Sequence, residues 1–239
     1  MSPELERVKA LTFDVFGTVV DWRGSIAREA KAVLGAKGYE LDWERFADRW
    51  RDRYQPAMER VRSGSREFVK LDDLHRENLM ETLAEFGVGS LARDELEHLN
   101  RAWHRLDPWP DTVEGLTRLK RKYVLATQSN GNVAIMVNMA KRAGLPWDAI
   151  LGAEVVRAYK PMPESYLRAA EMLGLEPAEC MMTAAHNNDL VAAAEQGFRT
   201  AFVRRPHEKG PNQTTDLEAE HDFDVVAEDF VDLADKLGC

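Results

Sequence analysis

The sequence predicts an α/β protein in which a doubly wound, Rossmann-like parallel sheet carries an inserted, all-helical cap. One observation is the repeated alternation of short apolar segments with amphipathic helical segments after residue 106, which is typical of parallel sheets with helices on both faces. Another is residues 23–105, where charged and apolar residues alternate at helical spacing and no convincing strand appears. The predicted core therefore comprises residues 1–22 and 106–239, and the predicted cap is 23–105.

Length, charge and cysteine content exclude several classes of protein. The chain has 239 residues, of which 44% are apolar and 31% charged, and it is long enough for a core with an inserted module. No apolar run approaches the ~18 residues of a membrane helix, and Asp14 interrupts the N-terminal apolar stretch, so we expect no membrane association and no secretory signal. Cys180 and Cys239 lie too far apart for a disulfide framework, which favours a cytoplasmic location. The net charge of −9 argues against nucleic acid as a partner.

The elements follow in chain order. Residues 8–14 predict a strand buried on both faces, because nearly every position is apolar. Helical spacing then continues through the cap until the two prolines of DPWPD mark the return to the core. Further strands are predicted in YVLATQ, DAILGAE, ECMMTAA and FRTAFV, with helices beginning near Gly131, Pro163 and Asn187. The segment HEKGPNQTTDLEAEH predicts a polar loop to which no chemistry is assigned.

Polar side chains cluster where four predicted strands end. These segments are DVFGT at 14–18, SNG at 129–131, YKP at 159–161 and the loop 184–189. Ligands of open parallel sheets bind outside the carboxyl ends of the strands, near the point where the strand order reverses. A single aspartate at a strand end is commonly a turn or helix-cap residue, but four such segments together predict a ligand site.

The four segments resemble the motifs of the haloacid dehalogenase superfamily. The order of DVFGT, SNG, Lys-Pro and a closing aspartate is similar to the family pattern, and a helical insert follows the first motif as it does in the family. The resemblance covers nearly the whole chain. It implies that Asp14, the aspartate of the first motif, is a nucleophile.

Single positions distinguish the branches of this superfamily. Its phosphatases carry a general acid two residues after the nucleophile, but this chain has Phe16 there, which cannot transfer a proton. They also place Gly-Asp before the closing aspartate to hold magnesium, where this chain has Ala184 and Ala185. Only Asp14 and Asp189 remain as carboxylates, whereas magnesium prefers several oxygen ligands. We therefore expect neither a metal nor another cofactor.

A halide leaves carbon as a stable anion and needs neither an acid nor a metal. The sequence resembles the L-2-haloacid dehalogenases, which carry Phe or Tyr before Gly-Thr in the first motif. This resemblance implies that Asp14 displaces halide from short 2-haloalkanoic acids, such as haloacetate and L-2-halopropionate, through an aspartyl ester with inversion. Water then releases a 2-hydroxy acid. Fluoroacetate is one of the substrates that such a pocket could admit.

The resemblance also implies roles for other residues. Lys160 orients Asp14 and offsets its charge, while Asp189 holds Lys160 and helps to position water. Thr18 donates a hydrogen bond in the same region. The positions predicted to bind or flank the substrate are Ser129, Asn130, Gly131, Val15, Phe16 and Tyr166.

The departing halide requires a polar or positive cradle. In the family an arginine that follows an aromatic residue in the first cap helices supplies it, and the segment DRWRDRY carries that role to Arg51. Arg49 and Arg53 are rivals, and any arginine in so charged a helix is commonly solvated or ion-paired. Asn130 and Asn188 complete the predicted halide site.

The loop before Asp189 departs from the best-known members. They carry a serine that assists ester hydrolysis, which this chain lacks, and His186 stands where their asparagine would be. His186 is either an ordinary polar loop residue or a group that positions or deprotonates water and narrows the halide pocket.

Two other functions remain open on the sequence alone. One is a phosphatase or phosphonatase of the same superfamily, and the other is a catalytically silent binding protein on this fold. The predicted partners are a small 2-haloacid and the halide ion, and the apolar cap helices could support a homodimer.

Overall fold

A six-stranded parallel sheet lies at the centre of the molecule in the computed structural model, which describes residues 3–239. The sheet order is the fifth, fourth, first, sixth, seventh and eighth strand of the chain. In chain order the strands are β1 (Ala10–Phe13), β2 (Val20–Asp21), β3 (Asp107–Pro108), β4 (Val124–Ser129), β5 (Ala149–Gly152), β6 (Cys180–Ala184), β7 (Arg199–Val203) and β8 (Val225–Ala227). Because β1 pairs with β4 on one side and β6 on the other, the strand order reverses beside β1.

Helices cover the sheet and form the insert. The α-helices are α1 (Pro3–Glu6), α2 (Trp22–Ala30), α3 (Trp43–Asp52), α4 (Tyr54–Arg62), α5 (Leu71–Glu85), α6 (Arg93–Asn100), α7 (Thr112–Leu119), α8 (Val133–Ala143), α9 (Ala153–Val156), α10 (Pro163–Met172), α11 (Asn187–Glu195) and α12 (Phe230–Lys236). A π-helical segment, Lys31–Gly35, continues α2, and 3₁₀ turns occupy Arg101–His104 and Pro177–Glu179. None of the helices described is long and apolar enough to cross a bilayer.

The helical insert leaves and rejoins the core at one place. β2 and β3 form a two-stranded antiparallel ribbon in which Val20 pairs with Pro108 and Asp21 with Asp107. Helices α2 to α6 lie between these strands in the chain. We keep residues 23–105 as the proposed extent of the cap.

The predicted fold class is confirmed, with differences at the ends of elements. β1 is shorter than the predicted strand 8–14, although all four of its residues are buried as expected. Helices α10 and α11 begin at the predicted residues. The short edge strand β8 was not predicted, because three residues with alternating burial give too weak a pattern.

One hydrophobic cluster continues from the sheet into the insert. It contains Phe13 of the sheet, Phe16 and Trp22 at the crossing, and Trp50 and Trp103 of the insert. Both insert tryptophans are fully buried. Burial of such large apolar surfaces holds the helical insert over the carboxyl ends of the central strands.

Candidate active site

Asp14 follows β1 directly, at the point where the strand order reverses. Its backbone N–H donates to the carbonyl of Thr183 at 3.0 Å, which continues the ladder with β6 for one residue. Its carboxylate accepts from Thr18 Oγ1 at 2.8 Å and from Lys160 Nζ at 2.9 Å, and its Oδ2 lies 3.1 Å from His186 Nδ1. The residue is 7% exposed, so these groups replace most of its hydration.

Lys160 bridges the two carboxylates of the site. Its ammonium donates to Asp14 Oδ1 and to Asp189 Oδ2. Asp189 also accepts from the hydroxyl of Tyr166 at 2.7 Å, and the backbone N–H of Lys160 donates to Asn130 Oδ1 at 2.8 Å. The ammonium is thus held between the two carboxylates, while Asn130 fixes the backbone of Lys160 and Tyr166 fixes Asp189.

Charge pairing sets the protonation states of Asp14, Lys160 and Asp189. Burial disfavours the anion of Asp14, but the charge of Lys160 and the contact with His186 outweigh it and hold the pKa of Asp14 well below its ordinary value. Burial opposes the charge of Lys160, yet Asp14 and Asp189 raise the pKa of the lysine. Burial and the nearby Asp14 raise the pKa of Asp189. Asp14 is therefore an ionised carboxylate, as a nucleophile must be.

His186 lies between two carboxylates. Its Nδ1 faces Asp14, and its Nε2 lies 2.9 Å from Oε2 of Glu208. Although burial opposes the charged ring, Glu208 and Asp14 raise the pKa of His186 well above its ordinary value. A carboxylate at each ring nitrogen suits the imidazolium, in which both nitrogens donate.

Glu208 is the residue that sequence reasoning missed. It is 2% exposed, and its Oε1 accepts from Trp22 Nε1 at 2.9 Å. It also lies against Gly17, where φ is +89° and an added Cβ would fall 2.1 Å from Glu208 Oε1, so only glycine fits there. Glu208 follows β7, and the rule that ligands gather at strand carboxyl ends would have marked its loop as a fifth candidate segment.

Arg51 of α3 differs from the neighbouring Arg49 and Arg53. Its guanidinium carbon lies 3.9 Å from the centre of the Tyr54 ring and 5.4 Å from that of Trp22, and its Nη1 is buried without a hydrogen-bond partner. Arg49 and Arg53 instead form ion pairs with Glu85. Arg51 is thus held by ring faces and keeps an N–H group free for an anion.

The remaining predicted residues divide into those on the cavity and those behind it. Asn130, Tyr166 and the exposed Asn188 line the cavity. Ser129 is 1% exposed and accepts the backbone N–H of Gly131 at 3.0 Å. Thr18, Val15, Phe16, Ser129 and Gly131 are not among the residues that line this cavity.

A cavity of about 770 Å³ lies between the helical insert and the strand ends. Asp14, Lys160 and His186 lie on the sheet side, while Arg51 and Tyr54 line it from the insert. The other lining residues are Trp22, Asp48, Asp52, Gln55, Arg62, Asn130, Pro161, Tyr166, Asn188, Asp189, Glu208, Lys209 and Asp216. The arrangement places an ionised carboxylate opposite an unpaired guanidinium in one chamber, which suits nucleophilic displacement of an anion.

Comparison with known proteins gives consistent matches. The sequence model of the haloacid dehalogenase-like hydrolases matches residues 8–197. The crystal structure of a defluorinating L-2-haloacid dehalogenase is 51% identical, covers 100% of this chain and 98% of its own, and has a TM-score of 0.97. A structure of the L-2-haloacid dehalogenase from Xanthobacter autotrophicus with chloropropionic acid covalently bound is 25% identical, covers 97% and 98%, and has a TM-score of 0.79. The (S)-2-haloacid dehalogenase of Xanthobacter autotrophicus is 31% identical over 205 residues, which are 83% of this chain and 76% of that protein.

Proposed function

This chain belongs to the haloacid dehalogenase-like hydrolase family, and we propose that it is an (S)-2-haloacid dehalogenase that removes halide from short 2-haloalkanoic acids. The observation that carries the proposal is the buried, ionised carboxylate of Asp14 in the same chamber as the unpaired guanidinium of Arg51. A substrate carbon between them would meet a nucleophile on one side and an anion-binding group on the other.

In the first step Asp14 displaces the halide. A carboxylate oxygen of Asp14 forms a bond to C2 of the acid while the carbon–halogen bond breaks, and the bonding electron pair leaves with the halide toward Arg51. No proton is transferred. Lys160 keeps Asp14 ionised and oriented during the attack. Asn130, at the cavity wall, binds the substrate carboxylate, and Ser129 and Gly131 lie behind it, joined by the hydrogen bond from the Gly131 N–H to Ser129 Oγ.

In the second step water hydrolyses the ester. The charges around His186 determine when this residue can act as a base. Before the reaction, Asp14 and Glu208 both stabilise the proton on His186. Esterification removes the charge of Asp14, so the pKa of His186 falls while Glu208 keeps the ring in place. As its pKa falls, the imidazolium releases its Nδ1 proton to solvent. The neutral ring of His186 then accepts a proton at Nδ1 from water as the water oxygen bonds to the Asp14 carbonyl carbon. Collapse breaks the bond from the Asp14 carbonyl carbon to the ester oxygen. The leaving alkoxide takes the second water proton from the new hydroxyl of Asp14, which restores the Asp14 carboxylate beside the imidazolium and releases the 2-hydroxy acid.

The phosphatase alternative lacks support from the site. Phe16 occupies the position of the general acid and is 2% exposed, packed against aromatic side chains of the insert. The ammonium of Lys160 contacts both Asp14 and Asp189. Among residues 3–239, no cluster of three His, Cys, Asp or Glu side chains is arranged to hold a metal ion. Release of halide from 2-chloropropionate would also separate an enzyme from a silent binding protein.

The test of the proposed function is a single turnover in heavy-oxygen water with enzyme in excess over L-2-chloropropionate. We expect the product lactate to carry ordinary oxygen from Asp14, and the solvent label to appear in the peptide that contains Asp14. Mass spectrometry measures the heavy-oxygen content of the lactate and of the peptide. Label that enters the product directly, with none in the peptide, would refute the ester mechanism.

His186→Asn should slow ester hydrolysis by about 10²-fold while alkylation continues, because only the second step needs a base. We expect a burst of one halide per site followed by slow release, with the ester detectable by mass spectrometry. We also expect the ratio of the fluoroacetate to the chloroacetate alkylation rate, measured in the burst, to fall, since His186 is proposed to narrow the halide pocket. The 51% identical structure belongs to a defluorinating enzyme, which supports fluoroacetate as a substrate. If neither the rate of ester hydrolysis nor the ratio of the fluoroacetate to the chloroacetate alkylation rate changes, His186 has no part in the mechanism.

A further inference from the structure

The segment that carries Lys160 has no regular secondary structure of its own. It lies between α9, which ends at Val156, and α10, which begins at Pro163. No sheet or helix ladder therefore fixes its backbone, although its ammonium must stay between Asp14 and Asp189. The position of Lys160 depends on contacts made by other parts of the chain.

Two of these contacts come from the helical insert. Arg62, the last residue of α4, donates from Nη1 to the carbonyl of Lys160 at 3.0 Å. The hydroxyl of Tyr159 donates to the carbonyl of Val69 at 2.6 Å, and the Tyr159 ring stacks on Phe68 with centroids 5.3 Å apart. Tyr159 is fully buried, so its hydrogen bond is shielded from water.

Arg157 adds a third contact to the same pair of segments. Its guanidinium carbon lies 4.2 Å from the centre of the Phe68 ring. Its φ is +57°, a left-handed conformation that is unfavourable for a residue with a Cβ. Arg157 is the C-cap residue of α9, where a left-handed conformation commonly ends a helix, and its guanidinium adds a contact between this segment and Phe68 of the insert.

We propose that Arg62 and Tyr159 are positioning residues through which the helical insert fixes Lys160 between Asp14 and Asp189. The backbone of Lys160 is then held on both sides, by Asn130 of the core at its N–H and by Arg62 of the insert at its carbonyl. The insert thus helps to position the lysine that orients Asp14, in addition to forming part of the cavity wall. This proposal rests on the proposed function, because it assigns Lys160 a part in turnover.

The test compares two arginines that each bind a main-chain carbonyl beside this segment. Arg168 of α10 donates to the carbonyl of Val156 at 2.7 Å, entirely within the core, and provides the matched control. We expect Arg62→Met to lower kcat for L-2-chloropropionate about tenfold with KM changed less than threefold, because displacement of a catalytic group by a fraction of an ångström slows the chemical step. Arg168→Met should lower Tm about as much as Arg62→Met does, but it should leave kcat within threefold of the value for the unaltered chain.

Two further variants separate positioning from general stability. Arg62→Lys, which keeps a donor, should recover part of the lost kcat, and Tyr159→Phe, which keeps the ring on Phe68 but loses the hydrogen bond, should lower kcat several-fold. A kcat for Arg62→Met equal to that of Arg168→Met, or losses that follow Tm in all four variants, would overturn the proposal. A rise in KM alone would also overturn it, since Arg62 lines the cavity and would then bind substrate. No halide release from the unaltered chain would instead refute the proposed function and this inference with it.

Discussion

Replacing Asp14 by asparagine is expected to lower halide release from 2-chloropropionate by about 10⁴-fold or more, the scale of loss when a nucleophile is removed. The amide has nearly the same shape, so it preserves the packing around β1. It cannot form the ester, however, and it no longer supplies the charge that pairs with Lys160 and His186. Halide release over time, measured with an ion-selective electrode, tests this expectation.

The matched control is Asp52→Asn. Asp52 also lines the cavity, but its side chain is 59% exposed and pairs with Arg49 on the surface of the insert. We expect this variant to retain halide release within threefold. Activity of Asp14→Asn within tenfold of the unaltered chain would show that another group attacks the substrate carbon.

Replacing Arg51 by methionine is expected to slow the first step by about 10²- to 10³-fold, the range found when a group that stabilises developing negative charge is removed. Methionine keeps the apolar stem against Tyr54 and Trp22 but offers no donor to the departing halide. The loss should be largest for fluoride, because the smallest halide concentrates its charge most and depends most on a donor. Rapid-quench measurement of ester formation with fluoro-, chloro- and bromoacetate checks this.

Arg49→Met and Arg53→Met provide the comparison for Arg51. Both arginines belong to the same stretch of chain and are engaged by Glu85. Their replacement should lower stability slightly and leave ester formation within threefold. If all three variants lose activity equally, the effect belongs to the fold of the insert, and Arg51 has no special role in halide departure.

The sequence allowed the parallel sheet and the order of its strands along the chain to be predicted, because buried strands and amphipathic helices leave strong periodic patterns. β1 and α10 show this well, since a run of buried apolar residues and a proline at the first helical position mark them clearly. β8 gave no such signal, because burial at an edge strand depends on what packs over it.

The candidate site was predictable where a motif places several groups together and unpredictable where contacts come from distant loops. The ammonium of Lys160 contacts both Asp14 and Asp189. The two aspartates follow strand ends, and the Lys-Pro motif marked Lys160, although it lies in the loop between α9 and α10. Glu208 comes from a polar loop in which nothing local separates one glutamate from another, and only the folded chain brings it to His186. Helical spacing likewise could not decide which arginine of α3 faces inward, because that depends on the partners available to each.

The pairing of β2 with β3 bears on how this architecture can be altered. Because Val20 and Pro108 are neighbours across the ribbon, the chain departs from the sheet and returns at almost the same point. The entropy of closing a loop grows only slowly with its length, so helical modules of quite different size could be grafted between these strands at little thermodynamic expense. Chimaeras built at this junction should keep β1 and β4 in register while they exchange one substrate chamber for another.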